Sequence, residues 1–480
     1  MTGFQMPTGT ISAGYVLTAS TSANGLGVWK SSPASLLVNG TTTGQTLYWN
    51  NTTGQWTPNT YLFNNTESAY NRGIGINVGY ADTATPSILS IAGGGITIDG
   101  IITRGTANAR IPVGNTNTFV EDISISRFTS LTIGKDGLPV ISYVSNSGLS
   151  VAHCNNLICS SVTTTTIDSS GAIGYYNSIV IGKDGYPIIS YYDGNNDDLR
   201  VVHCGSINCA SGNTSTTLDS TNDVGKFNSI TVGTDGFPII SYQGDSTSTA
   251  PDLKVVHCTA LDCSTYDTPV VAFGDAYIRG EYTSIAIGTD GLPIISSYTP
   301  YNKCLLITHC DNTSCSSNST ACRDNPAKDV GWFSSITIGR DGLPIISEIN
   351  YTDGYLRVLH CGNVSCSAGN NASHIDTSGT VDLNTTSITI TPDGYPLIAY
   401  RDTTNNSFKI ARCGNYDCSA NSSISIITTS TSNGFGYYNS IAIGSDGLPV
   451  ISNFKGITGD YDLYVYKCGN ALCRPYWTRR

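Results

Sequence analysis

One short phrase occurs seven times in the sequence, and this repeat limits the possible folds more than any other feature. The phrase has the form IGxDGxPIIS, and its successive aspartates are 48, 51, 55, 51, 52 and 53 residues apart. These aspartates are Asp136, Asp184, Asp235, Asp290, Asp341, Asp393 and Asp446. A second phrase of the form LxVxHC follows each copy, and another cysteine lies five residues after it. A period of about 50 residues with strand-forming residues in every unit predicts a solenoid or a propeller.

The second repeat illustrates how one unit divides into strands. Strand A begins at Ser178, and Asp184-Gly185 predicts a primed hairpin turn, because Asp-Gly suits the positive φ angles of such turns. Strand B begins at Pro187, where a proline removes no ladder donor, and strand C begins at Leu199. Strand D begins near Thr214. Four antiparallel strands in about 50 residues predict a propeller blade.

The ends of the repeat array predict how the ring closes. The last repeat reaches Cys473 and leaves little room for a strand D, whereas the segment from Asn117 looks like a spare one. We infer that this segment completes the seventh blade. No long stretch has the 3.6-residue period of a helix, so the fold class is all-β. The prediction is a seven-bladed β-propeller over residues 116–480, with four-stranded blades and an N-terminal closing strand.

The repeat resembles the degenerate propeller repeats of extracellular bacterial and viral proteins. In those proteins a phrase IGxDGxPIISY is followed by LxVxHCxxxxC, as in residues 116–480 of this chain. The resemblance implies an architecture much more than an activity.

The sixteen cysteines fit disulfides better than metal sites. Seven pairs lie five residues apart, one in each predicted C–D hairpin, and the two remaining cysteines flank strand C of the fourth blade. The predicted bridges join Cys154 with Cys159, Cys204 with Cys209, Cys258 with Cys263, Cys310 with Cys315, Cys361 with Cys366, Cys413 with Cys418, Cys468 with Cys473, and Cys304 with Cys322. Zinc normally needs four ligands, and Arg412 and Lys467 replace the histidine in two repeats. One acidic residue per turn is too few for calcium. No metal and no cofactor are expected.

The recurring histidines occupy one position of strand C. They are His153, His203, His257, His309 and His360. We expect half-buried side chains that are hydrogen-bonded in the packing between blades. No acid or nucleophile recurs beside them, so a catalytic base is not indicated.

The first 115 residues differ from the repeats. Phrases such as AGYVLTASTSANGLGVWKS and GQTLYWNNTTGQWTPNTYLFNN are similar to the stems of phage and giant-virus tail fibres and related bacterial surface proteins. The resemblance implies an attachment segment over residues 1–60 and a β-rich stem over residues 61–115. Short strands in such fibres are commonly buried by trimerisation, and this region has few large apolar residues. We therefore expect a homo-oligomer, with a trimer as its form.

Charge and cysteine content indicate the surroundings of the protein. The net charge is −11 and the pI is about 4.9, and no basic stripe or long apolar run is present. Neither nucleic acid nor membrane insertion is expected. The first residues do not resemble a signal peptide. An even cysteine count in a chain rich in Ser, Thr and Asn favours an oxidising location, so we expect the extracellular space or a virion surface.

The candidate binding site lies at the end of the propeller that carries the variable B–C and D–A loops. An aromatic residue stands two positions before the strand A serine in six blades, at Phe128, Tyr176, Phe227, Tyr282, Phe333 and Tyr438, and blade 6 has Thr385. Such a ring either stacks on a sugar or packs blade against blade, and packing is the simpler interpretation. The candidate ligand-binding residues are Tyr176, Phe227, Tyr282, Phe333 and Tyr438.

Three functions compete for such a chain. The first is a non-enzymatic surface fibre whose propeller head attaches to a host receptor or glycan. The second is a propeller glycosidase, which needs paired carboxylates. No arginine cluster recurs at the variable end, and the Asp-box phrase of sialidases is absent. The third is a virion decoration without a ligand. We predict the first function, a binding protein that is not an enzyme.

Overall fold

The computed structural model describes residues 115–123, 128–245, 250–323, 328–429, 434–457 and 460–474, together with five strands nearer the N-terminus. The chain divides into two compact units, Met1–Gly105 and Thr106–Arg480. In the first unit, Tyr15–Thr18 pairs with Val28–Ser31 in an antiparallel two-stranded sheet. The strands of an antiparallel three-stranded sheet are Gln45–Asn50, Gln55–Asn65 and Gly73–Ile76. The rest of residues 1–114 lies outside the described residues, so the fibre-like stem, the trimer and the boundaries at residues 60 and 115 stay predictions.

The second unit is a seven-bladed β-propeller of four-stranded antiparallel sheets, as the repeat predicted. We number the blades 1–7 along the chain and letter their strands A–D from the centre outward. Strands A are Thr129–Ile133, Ile173–Ile181, Val224–Val232, Glu281–Ile287, Val330–Ile338, Val381–Ile390 and Gly434–Ile443. Strands B are Pro139–Ser145, Pro187–Asp193, Pro238–Asp245, Pro293–Thr299, Pro344–Asn350, Pro396–Asp402 and Pro449–Ile457. Each strand B begins at a proline, where no ladder donor is needed.

The outer strands complete the blades. Strands C are Gly148–Cys154, Asp198–His203, Pro251–His257, Cys304–Cys310, Tyr355–His360, Ser407–Arg412 and Asp460–Lys467. Strands D of blades 1–6 are Val162–Asp168, Thr214–Asp219, Val270–Phe273, Asn318–Cys322, Asn371–Asp376 and Ser423–Thr429. The described residues form no helix that is long and apolar enough to cross a membrane.

The ring closes through the N-terminal strand, which confirms the predicted closure. Thr116–Ile123 is strand D of blade 7 and pairs antiparallel with strand C from Tyr461↔Ile123 to Lys467↔Thr116. Blade 7 is therefore assembled from both ends of the repeat array, so neither end is left as an unpaired partial blade.

Apolar side chains fill the spaces between neighbouring blades. The described residues contain seven buried apolar clusters, and each combines side chains from two adjacent blades. Between blades 2 and 3, for example, Leu199 and Val201 pack with Ile230 and Tyr242. Burial on both faces explains why each strand B reads as a nearly continuous apolar run.

The strand A serines join the blades at the centre of the ring. In each blade the serine hydroxyl oxygen accepts a hydrogen bond of 3.1–3.3 Å from a backbone N–H of the next blade's strand A. The bond from Leu131 N–H to Ser440 Oγ completes the circle. The serines are Ser130, Ser178, Ser229, Ser284, Ser335, Ser387 and Ser440.

The A–B turn differs from the primed hairpin turn that the sequence predicted. In blade 1 the Gly137 N–H donates to the Gly134 carbonyl oxygen, and only the glycine of each Asp-Gly pair has positive φ, between 76° and 90°. This is a type I turn followed by a left-handed glycine. The reason is the aspartate side chain. Asp136 Oδ1 accepts from the Leu138 N–H at 3.1 Å, as in an Asx turn.

The same aspartates hold the recurring histidines. Nε2 of the histidine lies 2.8–2.9 Å from Oδ2 of the turn aspartate in five blades. In blade 6 Arg412 contacts Asp393, and in blade 7 Lys467 Nζ lies 2.7 Å from Asp446 Oδ1. The histidines are thus paired within their own blade, whereas we predicted hydrogen bonds in the packing between blades. Each repeat keeps a basic residue opposite the aspartate, and this explains why Arg or Lys can replace His.

Eight disulfides join the cysteines in the predicted pairs, and none of the described cysteines is free. Seven of them close five-residue steps at the end of the propeller that also carries the A–B turns. The eighth, Cys304–Cys322, joins strands C and D of blade 4 at the opposite end. The thiols are consumed in these bonds and cannot bind zinc. Eight disulfides are typical of an oxidising, extracellular or secreted environment.

The second cysteine of each five-residue pair lies in a tight turn outside strands C and D, a detail that the repeat did not predict. Its backbone N–H donates to the carbonyl oxygen three residues earlier, and its φ angle is between 50° and 57°. Such a left-handed conformation turns the chain back so that its sulfur meets the cysteine at the end of strand C. These residues are Cys159, Cys209, Cys263, Cys315, Cys366, Cys418 and Cys473.

Candidate functional site

In blades 2–7 strand A enters the sheet through a bulge, which places one residue at the mouth of the central channel. In blade 2 the ladder register shifts between Tyr175 and Ser178, so the intervening residues leave the regular pairing. Five aromatic residues at this position have positive φ. They are Tyr176 (53°), Phe227 (50°), Tyr282 (54°), Phe333 (50°) and Tyr438 (47°). A left-handed conformation is a rare state for a bulky side chain and costs about 1 to 3 kcal/mol.

The structure brings all six predicted aromatic residues together, and we name the set Phe128, Tyr176, Phe227, Tyr282, Phe333 and Tyr438 the aromatic crown. Ring centroids of neighbours around the mouth are 3.9–5.2 Å apart. The side chains are half-buried and line one depression of about 160 Å³. The crown is interrupted at Thr385, which stands between Phe333 and Tyr438. The five candidate ligand-binding residues thus share one surface with Phe128.

A layer of polar side chains supports the crown from below. At six of the seven interfaces the residue after the crown position is hydrogen-bonded to a strand B serine of the preceding blade, as when Ser142 Oγ donates to Asn177 Oδ1 at 2.6 Å. The same layer also bonds to the backbone of the preceding crown residue. Asn177 Nδ2 donates to the Phe128 carbonyl oxygen, and Thr283 Oγ1 donates to that of Phe227. These bonds fix the backbone that carries the aromatic rings.

Burial and nearby negative charge change the acidity of groups at the mouth. Desolvation raises the pKa of Tyr176 to about 12, and the charges of Asp223 and Glu281 act in the same direction. Burial alone raises the pKa of Glu281 to about 7. Glu281 precedes the crown residue Tyr282 and is paired across the sheet with Tyr298. No described residue hydrogen-bonds to its carboxyl group, so nothing offsets the cost of burying its charge.

Aromatic side chains continue outward from the crown over blades 4 and 5. The Trp332 ring lies 6.0 Å from Tyr282 and 4.8 Å from Tyr298, and it stacks on Tyr351 at 5.0 Å. Trp332 Nε1 donates to Asp329 Oδ1 at 2.8 Å. The Tyr351 side chain is 49% exposed, so this path ends at the solvent. Glu281 and Trp332 were not predicted from the sequence, because the residue before the crown position follows no pattern from blade to blade.

The comparisons with known proteins give the fold and no family. No family model matches the sequence, and no curated protein matches it. Three solved structures of similar fold are the BP39L lectin from Burkholderia pseudomallei, the NanB sialidase from Streptococcus pneumoniae and the alpha-L-arabinofuranosidase ARB93A from Fusarium graminearum. The tail-fibre-like and repeat-family resemblances therefore stay predictions.

All three structures are 11% identical to this chain. The lectin match covers 72% of this chain and 97% of the lectin, with a TM-score of 0.55. The sialidase match covers 73% and 70%, and the arabinofuranosidase match covers 72% and 97%, both with a TM-score of 0.43. At such identities the likeness shows the fold alone.

The comparisons correct one prediction. We predicted from the sequence that the chain is not an enzyme, and this is wrong as stated. Proteins of similar fold include a sialidase and an arabinofuranosidase as well as a lectin, so the propeller does not exclude catalysis.

Proposed function

We propose that the propeller binds carbohydrate, and that a sugar stacks on the aromatic crown at the mouth of the central channel. The observation that carries this proposal is the crown itself, in which six half-buried aromatic rings line one depression. Aromatic faces offer an apolar surface with a defined geometry, and such groups dominate the energetics of ligand recognition.

Packing between blades is a weaker explanation for the crown. The blade interfaces are filled by apolar clusters, and of the six crown residues only Phe333 and Tyr438 pack against them. Blade 6 packs on both neighbours with a threonine at the crown position. An aromatic residue is therefore not needed at this position to join two blades. Strained conformations persist where the surrounding structure enforces them, and they concentrate at functional sites. The five positive φ angles support a binding role.

The size and charge of the mouth narrow the class of sugar. A depression of about 160 Å³ is smaller than the pockets of about 300–1,000 Å³ that enclose whole small ligands. It suits the terminal residue of a glycan better than an internal segment. Burial is the main cause of the raised pKa of Tyr176, and the nearby acidic residues Asp223 and Glu281 add to it. A neutral sugar is favoured over sialic acid or a uronic acid.

A second candidate function is glycan cleavage, and Glu281 is the observation that favours it. A carboxyl group whose pKa is raised to about 7 by burial can hold a proton near neutral pH and donate it to a leaving group. It lies beside the crown residue Tyr282, where a bound sugar would sit. In this function Glu281 is the general acid.

The wider biological proposal concerns attachment to a receptor. In it, residues 1–115 form an oligomeric stem on a virion or cell surface and display the propeller to a host receptor or glycan. The eight disulfides support a role outside the cell, since such bonds persist in oxidising surroundings. Light scattering during gel filtration of the full chain tests the oligomer, and a stable monomer would contradict it.

A glycan array probed with the full chain tests the binding proposal. We expect the protein to bind neutral glycans on the array. Phe227→Ala should weaken this binding at least tenfold, because it removes the ring that contacts both Tyr176 and Tyr282 in the crown. Tyr416→Ala is the matched control, since Tyr416 is 44% exposed and lies near the disulfide end. Unchanged binding by Phe227→Ala would refute the crown as the site. Hydrolysis of array hits by the wild type, abolished in Glu281→Gln, would establish the second function.

A further inference from the structure

The crown position of blade 6 differs chemically from the other six. Thr385 lines the depression between Phe333 and Tyr438 and is half-buried. Its hydroxyl oxygen accepts two hydrogen bonds from Asn439, one from the backbone N–H at 2.9 Å and one from Nδ2 at 3.1 Å. The threonine is therefore held in place by blade 7.

These two bonds determine what the Thr385 hydroxyl can offer to a ligand. A hydroxyl group has two acceptor lone pairs and one donor hydrogen, and Asn439 occupies both lone pairs. The Thr385 hydroxyl donates to no described residue. Its hydrogen is thus available at the mouth, in a crown whose other six positions are aromatic.

A second substitution in blade 6 leaves a free acceptor beneath the threonine. In the other six blades a strand B serine bonds to the polar residue below the crown. These serines are Ser142, Ser190, Ser241, Ser296, Ser347 and Ser452. Blade 6 has Ala399 instead, so Oδ1 of Asn439 makes no hydrogen bond with any described residue. Asn439 is only 4% exposed, and such an unpaired buried acceptor is costly.

We propose that Thr385 and Asn439 form a polar subsite that selects and orients one sugar on the crown. Thr385 donates a hydrogen bond to an oxygen of the sugar, and Asn439 Oδ1 accepts one from a free sugar hydroxyl, directly or through one water. A hydroxyl group is both a donor and an acceptor, so it satisfies both groups. One sugar binds per propeller, and the hydroxyl group that meets Thr385 and Asn439 is directed toward blade 6. This inference rests on the proposed binding function.

Single substitutions can separate the two hydrogen-bonding groups. Thr385→Val keeps the branched shape and removes the donor, and we expect affinity for methyl glycosides of neutral hexoses to fall about tenfold, while Thr385→Ser binds nearly as wild type. Ala399→Ser restores the missing partner of Asn439. It is expected to raise the melting temperature and to weaken binding severalfold. Tyr416→Ala, at the disulfide end of the propeller, is the control and should leave binding unchanged.

Mono-O-methylated glycosides provide the second measurement. A methyl ether still accepts from Thr385 but cannot donate to Asn439, so methylation at the recognised position should weaken binding to the wild type and change binding to Ala399→Ser little. Titration calorimetry measures both effects. Unchanged affinity in Thr385→Val would overturn the role of Thr385 even if Phe227→Ala abolishes binding. A higher melting temperature with unchanged affinity in Ala399→Ser would overturn that of Asn439. Absence of glycan binding by the wild type would overturn the proposed function and this inference together.

Discussion

The two ends of the propeller are built by different rules, although each is assembled from seven equivalent segments. At the turn end every blade repeats three devices: the type I turn, the contact of its aspartate with a basic side chain, and a disulfide. At the mouth the same positions vary from blade to blade and include strained aromatic residues, a carboxyl group and an amide oxygen. One end is redundantly stabilised. The other keeps polar groups that bond to none of the described residues, among them the Glu281 carboxyl group and Asn439 Oδ1.

This difference teaches where function is located in a repeat protein. A feature that is present in all seven blades stabilises the propeller, because every blade has the same structural requirement. A feature present in one blade, such as Glu281 or Thr385, serves no common structural need. Variable segments on a rigid scaffold are also where binding residues concentrate. Substitutions at the turn end should therefore change stability and leave binding unaltered, whereas those at the mouth should change binding.

The largest effect on stability is expected from the eighth disulfide, which lies at the mouth end and so departs from the pattern. Cys304 and Cys322 close an 18-residue step, whereas Cys204 and Cys209 close a five-residue step. Loop entropy assigns about 3 kcal/mol to the longer loop and about 2 kcal/mol to the shorter one. Paired Cys→Ala substitutions followed by guanidinium unfolding measure both losses. An equal or smaller loss for the 304–322 pair would contradict this ranking.

The next effect concerns pH and Glu281. Its folded-state pKa of about 7 lies above its ordinary value of 4.5, so the folded state binds this proton more tightly than the unfolded state. Protonation of Glu281 therefore stabilises the folded state. This stabilisation is fully present below about pH 4.5 and is lost as the pH rises through 7. The free energy of unfolding of Glu281→Gln should equal that of the wild type at pH 4. At pH 8 it should be about 1 to 2 kcal/mol higher, after allowance for solvent screening.

Melting temperatures at several pH values test this expectation. Asp311→Asn, which replaces an exposed carboxylate at the turn end, is the matched control. Its stability relative to the wild type should not change between pH 4 and pH 8. A stability difference between Glu281→Gln and wild type that is independent of pH would mean that the carboxyl group is not buried as described. The same measurements with a bound glycoside would show whether the ligand contacts Glu281.

Much of the architecture could be predicted from the sequence, because regular devices leave a periodic signal. The blade strands, the closing strand at Thr116–Ile123 and the pairing of cysteines five residues apart all follow from the repeat. The contacts between the turn aspartates and the basic side chains could also have been predicted from the sequence. The replacement of histidine by Arg412 and Lys467 argued against zinc, and equally indicated a basic partner for the turn aspartate.

The functional details of the mouth could not be predicted in the same way. The sequence placed the aromatic residues at the start of strand A, but their left-handed φ angles depend on the bulge, which has no sequence signal of its own. The raised pKa of Glu281 depends on burial by neighbouring blades. The free oxygen of Asn439 depends on Ala399, a residue 40 positions away that lies beside it only in the folded ring. Such features arise from contacts between repeats.

The smallest expected effect tests whether the basic partners of the turn aspartates are interchangeable. His309 is largely buried and pairs with Asp290 at 2.8 Å. His309→Leu should cost about 1 kcal/mol, because it leaves the aspartate without a basic partner, and His309→Arg should cost less. Arg412→His in blade 6 should be nearly neutral, since histidine holds this position in five blades. Urea unfolding at low and high salt measures these differences. If His309→Arg were as destabilising as His309→Leu, the shape and packing of the imidazole ring would govern this position, and the basic residues of the seven blades would not be equivalent.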